Sequence, residues 1–136
     1  YRQMLEHHPD DAATHYLLAR RLDSQGQETE AIVHYRESLR PQPDNAAAHN
    51  NLGGVLAPLG NVAEALSHFR EAVRIKPDFA DGHLMLGKLY REKLSDPDKA
   101  LPYLKRAEKL FMKVEDYQRV GQIRQLLIRR PAKSGL

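Results

Sequence analysis

The sequence predicts an all-helical protein built from repeated pairs of helices. A motif of proline and aspartate, followed by alanine and then histidine, recurs at a fixed offset of 34 residues, with its prolines at Pro9, Pro43 and Pro77. Within each period the apolar residues are spaced three or four apart, which indicates one buried face of a helix. No segment alternates apolar and polar residues for long enough to form a sheet, so the fold class is all-α.

Each period divides into two helices at a glycine turn. In the second period Asp44 is the expected N-cap of a helix over 46–59, and Gly60 can adopt the left-handed conformation that ends it. The next helix, over 62–75, stops because Pro77 disfavours helical geometry in the residue before it. The same reasoning along the chain predicts helices near residues 1–8, 12–25, 28–40, 46–59, 62–75, 80–93, 97–113 and 116–130.

This helix–turn–helix unit resembles the tetratricopeptide repeat. Leu52-Gly53, the small residue Ala65, the aromatic Phe69 and the closing Pro77 match that family's pattern. The resemblance implies a right-handed α-solenoid of antiparallel helix pairs with a C-terminal capping helix. Histidine takes the place of the family's tryptophan in all three units, at His15, His49 and His83.

The resemblance also implies how the chain is organised. We expect the second half of an upstream unit at 1–11, units at 12–45 and 46–79, a unit with one inserted residue at 80–115, a capping helix at 116–130 and a disordered tail at 131–136. The half-unit at the start indicates a fragment of a longer array. Its apolar residues Tyr1, Met4 and Leu5 lack the helix that would cover them, and we expect self-association there.

Several chemical functions are disfavoured. The chain has no cysteine, which excludes disulfides and thiolate metal sites, and it has no apolar run long enough to span a membrane. The histidines occupy equivalent positions of successive repeats and predict a ladder rather than a metal cluster, so we expect no metal or cofactor. The pairs Glu37–Arg40 and Glu71–Arg74 fit surface ion pairs better than acid–base catalysis, and no catalytic constellation is evident.

By the resemblance, the first helices of the repeats line a concave groove that binds an extended peptide or a helix of a partner protein. Asparagines there can pair with a partner's backbone amides in both directions, while the cations favour acidic side chains. Asn51 is expected to face solvent in the free chain. The groove residues are Tyr16, Leu17, Arg20, Asn50, Asn51, Gly54, Leu84, Met85, Lys88 and Arg91. The predicted function is a non-catalytic scaffold or adaptor whose partner the sequence does not identify.

The residues favour three alternative functions to different degrees. Repeat domains that grip the tails of heat-shock chaperones use a basic clamp, but among its equivalents here only Asn51 matches, and Asp81 has the wrong sign. A substrate-recruiting arm of a larger enzyme, for example a glycosyltransferase, stays open. So does an adaptor that contacts anionic membrane or nucleic acid through its basic end, although a solvated helix face explains that end more simply. The basic residues are Lys105, Arg106, Lys109, Lys113, Arg119, Arg124, Arg129 and Arg130.

Overall fold

The computed structural model describes residues 11–128, and within that range the chain forms seven helices and no strand. The helices are α1 (Ala12–Ser24), α2 (Glu28–Leu39), α3 (Ala46–Leu56), α4 (Val62–Ile75), α5 (Ala80–Lys88, continued by a π turn over Leu89–Lys93), α6 (Pro97–Lys113) and α7 (Tyr117–Ile128). The all-α prediction is confirmed. None of these helices is long and apolar enough to cross a membrane. The predicted helix over 1–8, self-association through Tyr1, Met4 and Leu5, and the predicted tail fall outside the described residues.

The chain divides into two compact units, between Ile75 and Lys76. In the first unit α1 packs on α2 and α3 packs on α4 as antiparallel pairs, and α2 also contacts α3. In the second unit α5 packs on α6, which in turn packs on α7. Burial of large apolar side chains is the main force that holds each unit together. The largest apolar side chains with almost no exposure are Tyr35, Phe69, Leu52, Leu56, Leu86, Leu104 and Ile123.

Glycine allows the two helices of a repeat to approach closely at two positions. A Cβ placed on Gly53 would lie 2.7 Å from the Phe69 ring, and one placed on Gly87 would lie 2.5 Å from the Leu104 side chain. Both distances are well below van der Waals contact. The Leu-Gly step of the sequence pattern is therefore a packing requirement, because the large residue of the second helix fills the space that a side chain would need.

The N-caps of α1 and α3 are equivalent residues of successive repeats. Asp11 accepts a hydrogen bond from the Thr14 N–H at 3.2 Å, and Asn45 accepts one from the Ala48 N–H at 3.0 Å. The prediction that Asp44 caps α3 is therefore wrong by one residue. A cap must be extended and must precede the helix directly, and Asn45, with φ −82° and ψ 98°, meets both conditions.

The helix predicted over 46–59 ends earlier, at Leu56, and residues 57–60 form a turn. Pro58 has no N–H to donate to a helical carbonyl, so it cannot support another α-helical turn. Gly60 then adopts φ +93°, and the Asn61 N–H donates to the Leu56 carbonyl at 3.1 Å, which closes the helix end.

The inserted residue of the third repeat is absorbed by a π turn. The sequence pattern predicts one α-helix over 80–93, but the α-helical part ends at Lys88 and the Leu94 N–H donates to the Leu89 carbonyl, five residues back, at 3.0 Å. Ser95, with φ +51°, then adopts the left-handed conformation that glycine adopts in the two earlier repeats. A wider turn accommodates one more residue, so Ala100 is still buried as its counterparts are.

Candidate functional site

A recess of about 240 Å³ opens in the first unit. Its lining residues come from α1, α2 and α3, and they are Arg20, Asp23, Ser24, Tyr35 and Asn51. Arg20 and Asn51 were both predicted to face a binding groove. The structure therefore brings a cation of one first helix and an amide of the next first helix to the same concave surface.

Tyr16 connects the two first helices at the edge of this recess. The Asn51 side-chain amide donates to the Tyr16 hydroxyl at 3.2 Å, and the Arg20 guanidinium carbon lies 5.8 Å from the centre of the Tyr16 ring. Asn51 is thus half-buried and already hydrogen-bonded, rather than simply facing solvent as the sequence suggested. Because one N–H is held by the phenol, the amide keeps a fixed orientation, and its oxygen has no hydrogen bond within residues 11–128.

Asp23 and Tyr35 belong to the recess but were not predicted to do so. Burial raises the pKa of the Asp23 carboxyl, and a hydrogen bond that the Tyr35 hydroxyl donates at 3.5 Å offsets only part of that effect. Burial and the nearby Asp23 carboxylate also raise the pKa of Tyr35, so its hydroxyl stays protonated and remains a donor. Asp23 could have been found from its spacing, since it follows Arg20 by three residues on one helix face.

The other predicted groove residues of the first unit do not line the recess. Leu17 is 39% exposed and Gly54 is half-buried. Asn50 is also half-buried, but its side-chain oxygen is shielded from solvent and has no hydrogen-bond partner among residues 11–128. That oxygen is therefore not placed to accept a hydrogen bond from a ligand.

In the second unit two of the four predicted groove residues are buried. Leu84 is 5% exposed and Arg91 is 7% exposed, so neither is open to a partner in the free chain, and this corrects the sequence prediction. Leucine gains free energy from burial, whereas the equivalent position of the second repeat holds the polar Asn50. Arg91 lies in the π turn, whose wider spacing moves it off the face that a regular α-helix would give it. Met85 and Lys88 are half-buried.

The predicted histidine ladder consists, in the first unit, of two matching pairs. Nδ1 of His15 lies 2.9 Å from Nδ1 of His34, and Nδ1 of His49 lies 3.0 Å from Nδ1 of His68. The pairing across α1–α2 and α3–α4 was not predicted. Residues 11–128 contain no group of three or more side chains placed to hold a metal ion.

The hydrogen bonds of His49 indicate which atom carries the proton. Its Nε2 lies 2.9 Å from the Pro43 carbonyl, which can only accept, so Nε2 is a donor. Nε2 of His68 lies 3.4 Å from a carboxylate oxygen of Glu64, so each ring also has a partner outside the pair. The ring centres are 5.2 Å apart, about two ring radii more than the 3.0 Å between the two Nδ1 atoms. The two nitrogens therefore lie close to the line that joins the ring centres. This pair joins the two helices of one repeat by a half-buried contact between the two Nδ1 atoms.

Comparisons with known proteins agree with this architecture. The sequence matches the tetratricopeptide repeat family over residues 1–46 and 16–80, and again over residues 80–111. No curated protein matches the chain. Among solved structures the chain is similar to the TPR2B-domain:pHsp70 complex of yeast Sti1, with a TM-score of 0.80 at 20% identity over 86% of this chain and 93% of that chain.

Two structures of MamA are also similar. One has a TM-score of 0.78 at 20% identity and covers 90% of this chain and 72% of that chain. The other has a TM-score of 0.69 at 23% identity and covers 79% of this chain and 58% of that chain. At these identities the likeness shows the fold alone.

Proposed function

The chain belongs to the tetratricopeptide repeat family, and we propose that it is a non-catalytic interaction module that binds an extended peptide or helix of a partner protein, acting as a scaffold or adaptor. The site proposed for the first unit is the recess between α1 and α3, with Tyr16, Arg20 and Asn51 as its main contacts. The observation that carries this proposal is the Asn51 amide, held in place by Tyr16 at 3.2 Å beside the recess.

The chemistry of the recess suits a peptide backbone. A peptide group presents one N–H and one carbonyl, and the Asn51 amide has an oxygen and a second N–H that no residue of 11–128 engages. Since its orientation is already fixed, binding costs little further side-chain entropy. Arg20 is exposed and forms no ion pair within the described chain, so it is free to bind an acidic side chain of the partner.

The similar solved structures support the general proposal of an interaction module, and they do not identify its partner. One similar structure is the TPR2B-domain:pHsp70 complex of yeast Sti1. This chain is not assigned that partner, because only Asn51 matches the basic clamp of such domains and Asp81 is committed to an ion pair with Arg119 at 2.6 Å. In the second unit Met85 and Lys88 are proposed as partner contacts of that unit, because they are the predicted groove residues there that keep some exposure.

The proposal is tested with a partner isolated by affinity capture on the full-length protein, whose binding segment is then synthesised as a peptide. Asn51→Ala should weaken binding of that peptide by about 0.5–1.5 kcal/mol, the usual contribution of one hydrogen bond. Arg20→Glu should slow association, and its effect should shrink as salt screens the charge.

Arg21→Glu is the matched control for Arg20→Glu. Arg21 is the next residue of α1 and is exposed, but it does not line the recess. Isothermal titration of the same peptide should therefore show little change for Arg21→Glu. Equal losses for the two charge reversals, together with unchanged binding by Asn51→Ala, would place the partner elsewhere and overturn the proposal.

A further inference from the structure

The third repeat departs from the first two in the charge of its second helix. In the first two repeats that helix carries a self-neutralising pair, with Arg40 and Glu37 3.2 Å apart and Arg74 bound to Glu71, as the sequence predicted. Allowing for the inserted residue, the same two positions of α6 are Arg106 and Lys109. The carboxylate has been replaced by a second cation, so this part of α6 is left with an uncompensated positive charge.

These cations surround a recess in the second unit, which is larger than the recess described in the first unit. It has a volume of about 500 Å³ and lies between the start of α5 and the second half of α6. Arg106, Lys109 and Lys113 share one face of α6, and none of them forms an ion pair within residues 11–128. The carboxylate of Asp78 is the one acidic group of the lining. The rim is thus predominantly cationic.

The interior of the recess is apolar. Leu110, Phe111 and Val114 lie between the cations, and Val114 is 70% exposed. Exposed valine at the edge of a concave surface indicates apolar area that a ligand could cover. A volume of this size accommodates one or two large side chains.

Two other cations of the basic end already have carboxylate partners. Arg119 pairs with Asp81 at 2.6 Å, and Arg124 pairs with Glu108 at 2.8 Å. The guanidinium carbon of Arg119 also lies 5.4 Å from the centre of the Phe111 ring, so the cation sits over the one aromatic ring of the recess. Stacking of a nucleic-acid base on that ring is therefore disfavoured.

We propose that this recess, bounded by Arg106, Lys109 and Lys113, is a second docking site, separate from the groove, for an acidic segment of a partner protein that inserts an apolar side chain. Charge complementarity selects carboxylates for the rim, and the apolar interior selects a leucine or phenylalanine between them. A membrane surface is flat and would engage the cations without filling the interior.

The probe is a fluorescein-labelled peptide in which glutamates flank one phenylalanine, and a second peptide has serine in place of that phenylalanine. Binding to the full chain is followed by fluorescence anisotropy. Arg106→Glu restores the carboxylate–cation pair of the earlier repeats and should weaken binding about tenfold or more, since it removes one attraction and adds one repulsion. The serine peptide and Val114→Ser should each bind several-fold more weakly.

Lys105→Glu is the charge-matched control, because Lys105 is exposed on the same helix and does not line the recess. Its effect should stay within about twofold at moderate salt. Arg20→Glu should also leave this binding unchanged, which separates the site from the groove. All these positions are exposed, and circular dichroism checks that the variants fold.

The proposal is overturned if Lys105→Glu weakens binding as much as Arg106→Glu, or if the serine peptide binds as well as the phenylalanine peptide. Either result would mean that the cations act as a general anionic surface. Phosphatidylserine vesicles and duplex DNA provide the further comparison. If their binding depends on Arg106 while the peptide does not bind, the surface recognises anionic lipid or nucleic acid instead.

Discussion

Replacement of Gly53 by alanine should destabilise the chain, although the same change stabilises most helices. Alanine is favoured over glycine in a helix interior by about 1 kcal/mol. At Gly53, however, the new Cβ would lie 2.7 Å from Cε1 of Phe69 and 2.9 Å from Cδ1 of the same ring. Phe69 has no exposed surface and cannot move aside without disturbing α4. Overpacking of this kind costs about 1–3 kcal/mol.

A contact as short as 2.7 Å places the overpacking cost in the upper part of that range, about 2–3 kcal/mol. After the helix gain of about 1 kcal/mol is subtracted, Gly53→Ala should lower the free energy of unfolding by about 1–2 kcal/mol. Gly121→Ala is the matched comparison, because no atom lies within 4 Å of a Cβ at that position of α7. It should stabilise by about 0.5–1 kcal/mol. Urea denaturation followed by circular dichroism measures both. If Gly53→Ala is as stable as the parent chain, the close approach of α3 and α4 does not constrain the fold as we argue.

Three further effects follow from local geometry. Asn45→Ala should cost about 1 kcal/mol through loss of the cap on α3, whereas Asp44→Ala should cost little; thermal unfolding of the two variants decides which residue is the cap. Ser95→Gly should stabilise by about 0.5–1 kcal/mol by removing left-handed strain, while Gly60→Ser at the equivalent turn should destabilise, as read from urea midpoints. Burial lowers the pKa of His68 in the folded chain, so the imidazole binds a proton more readily in the unfolded chain than in the folded one. Stability should therefore fall as pH drops below about 6.5, and His68→Gln should flatten that decline in denaturation curves at about pH 7.5 and about pH 5.

Much of the fold was predictable because the repeat is encoded by spacing. The period of 34 residues and the positions of the prolines and glycines define helix pairs, and the helices from α1 to α6 begin where the pattern places them. The errors occur at helix ends. There a single backbone group decides the outcome, as with the cap at Asn45, the missing N–H of Pro58 and the wide turn after Lys88.

The candidate site was less predictable because it depends on contacts between repeats. Sequence spacing placed Arg20 and Asn51 on the groove-facing sides of the first helices of two successive repeats. It carried no information on the hydrogen bond from Asn51 to Tyr16. Nor did it reveal that Arg36 of α2 binds Glu64 of α4 through two contacts of 2.8 and 3.0 Å. Such pairs join residues from different repeats, and which partners meet depends on how the helices pack.

The π turn of the third repeat bears on how these arrays change length. An insertion inside a regular helix would rotate every later side chain by about a quarter of a turn and expose its apolar face. Here the extra residue is confined between Leu89 and Ser95, and the small residue Ala100 and the large residue Leu104 still reach the buried face. A repeat can therefore lengthen by one residue and keep its buried face. A search that demands a strict period of 34 residues would overlook units that have gained one residue without losing their packing.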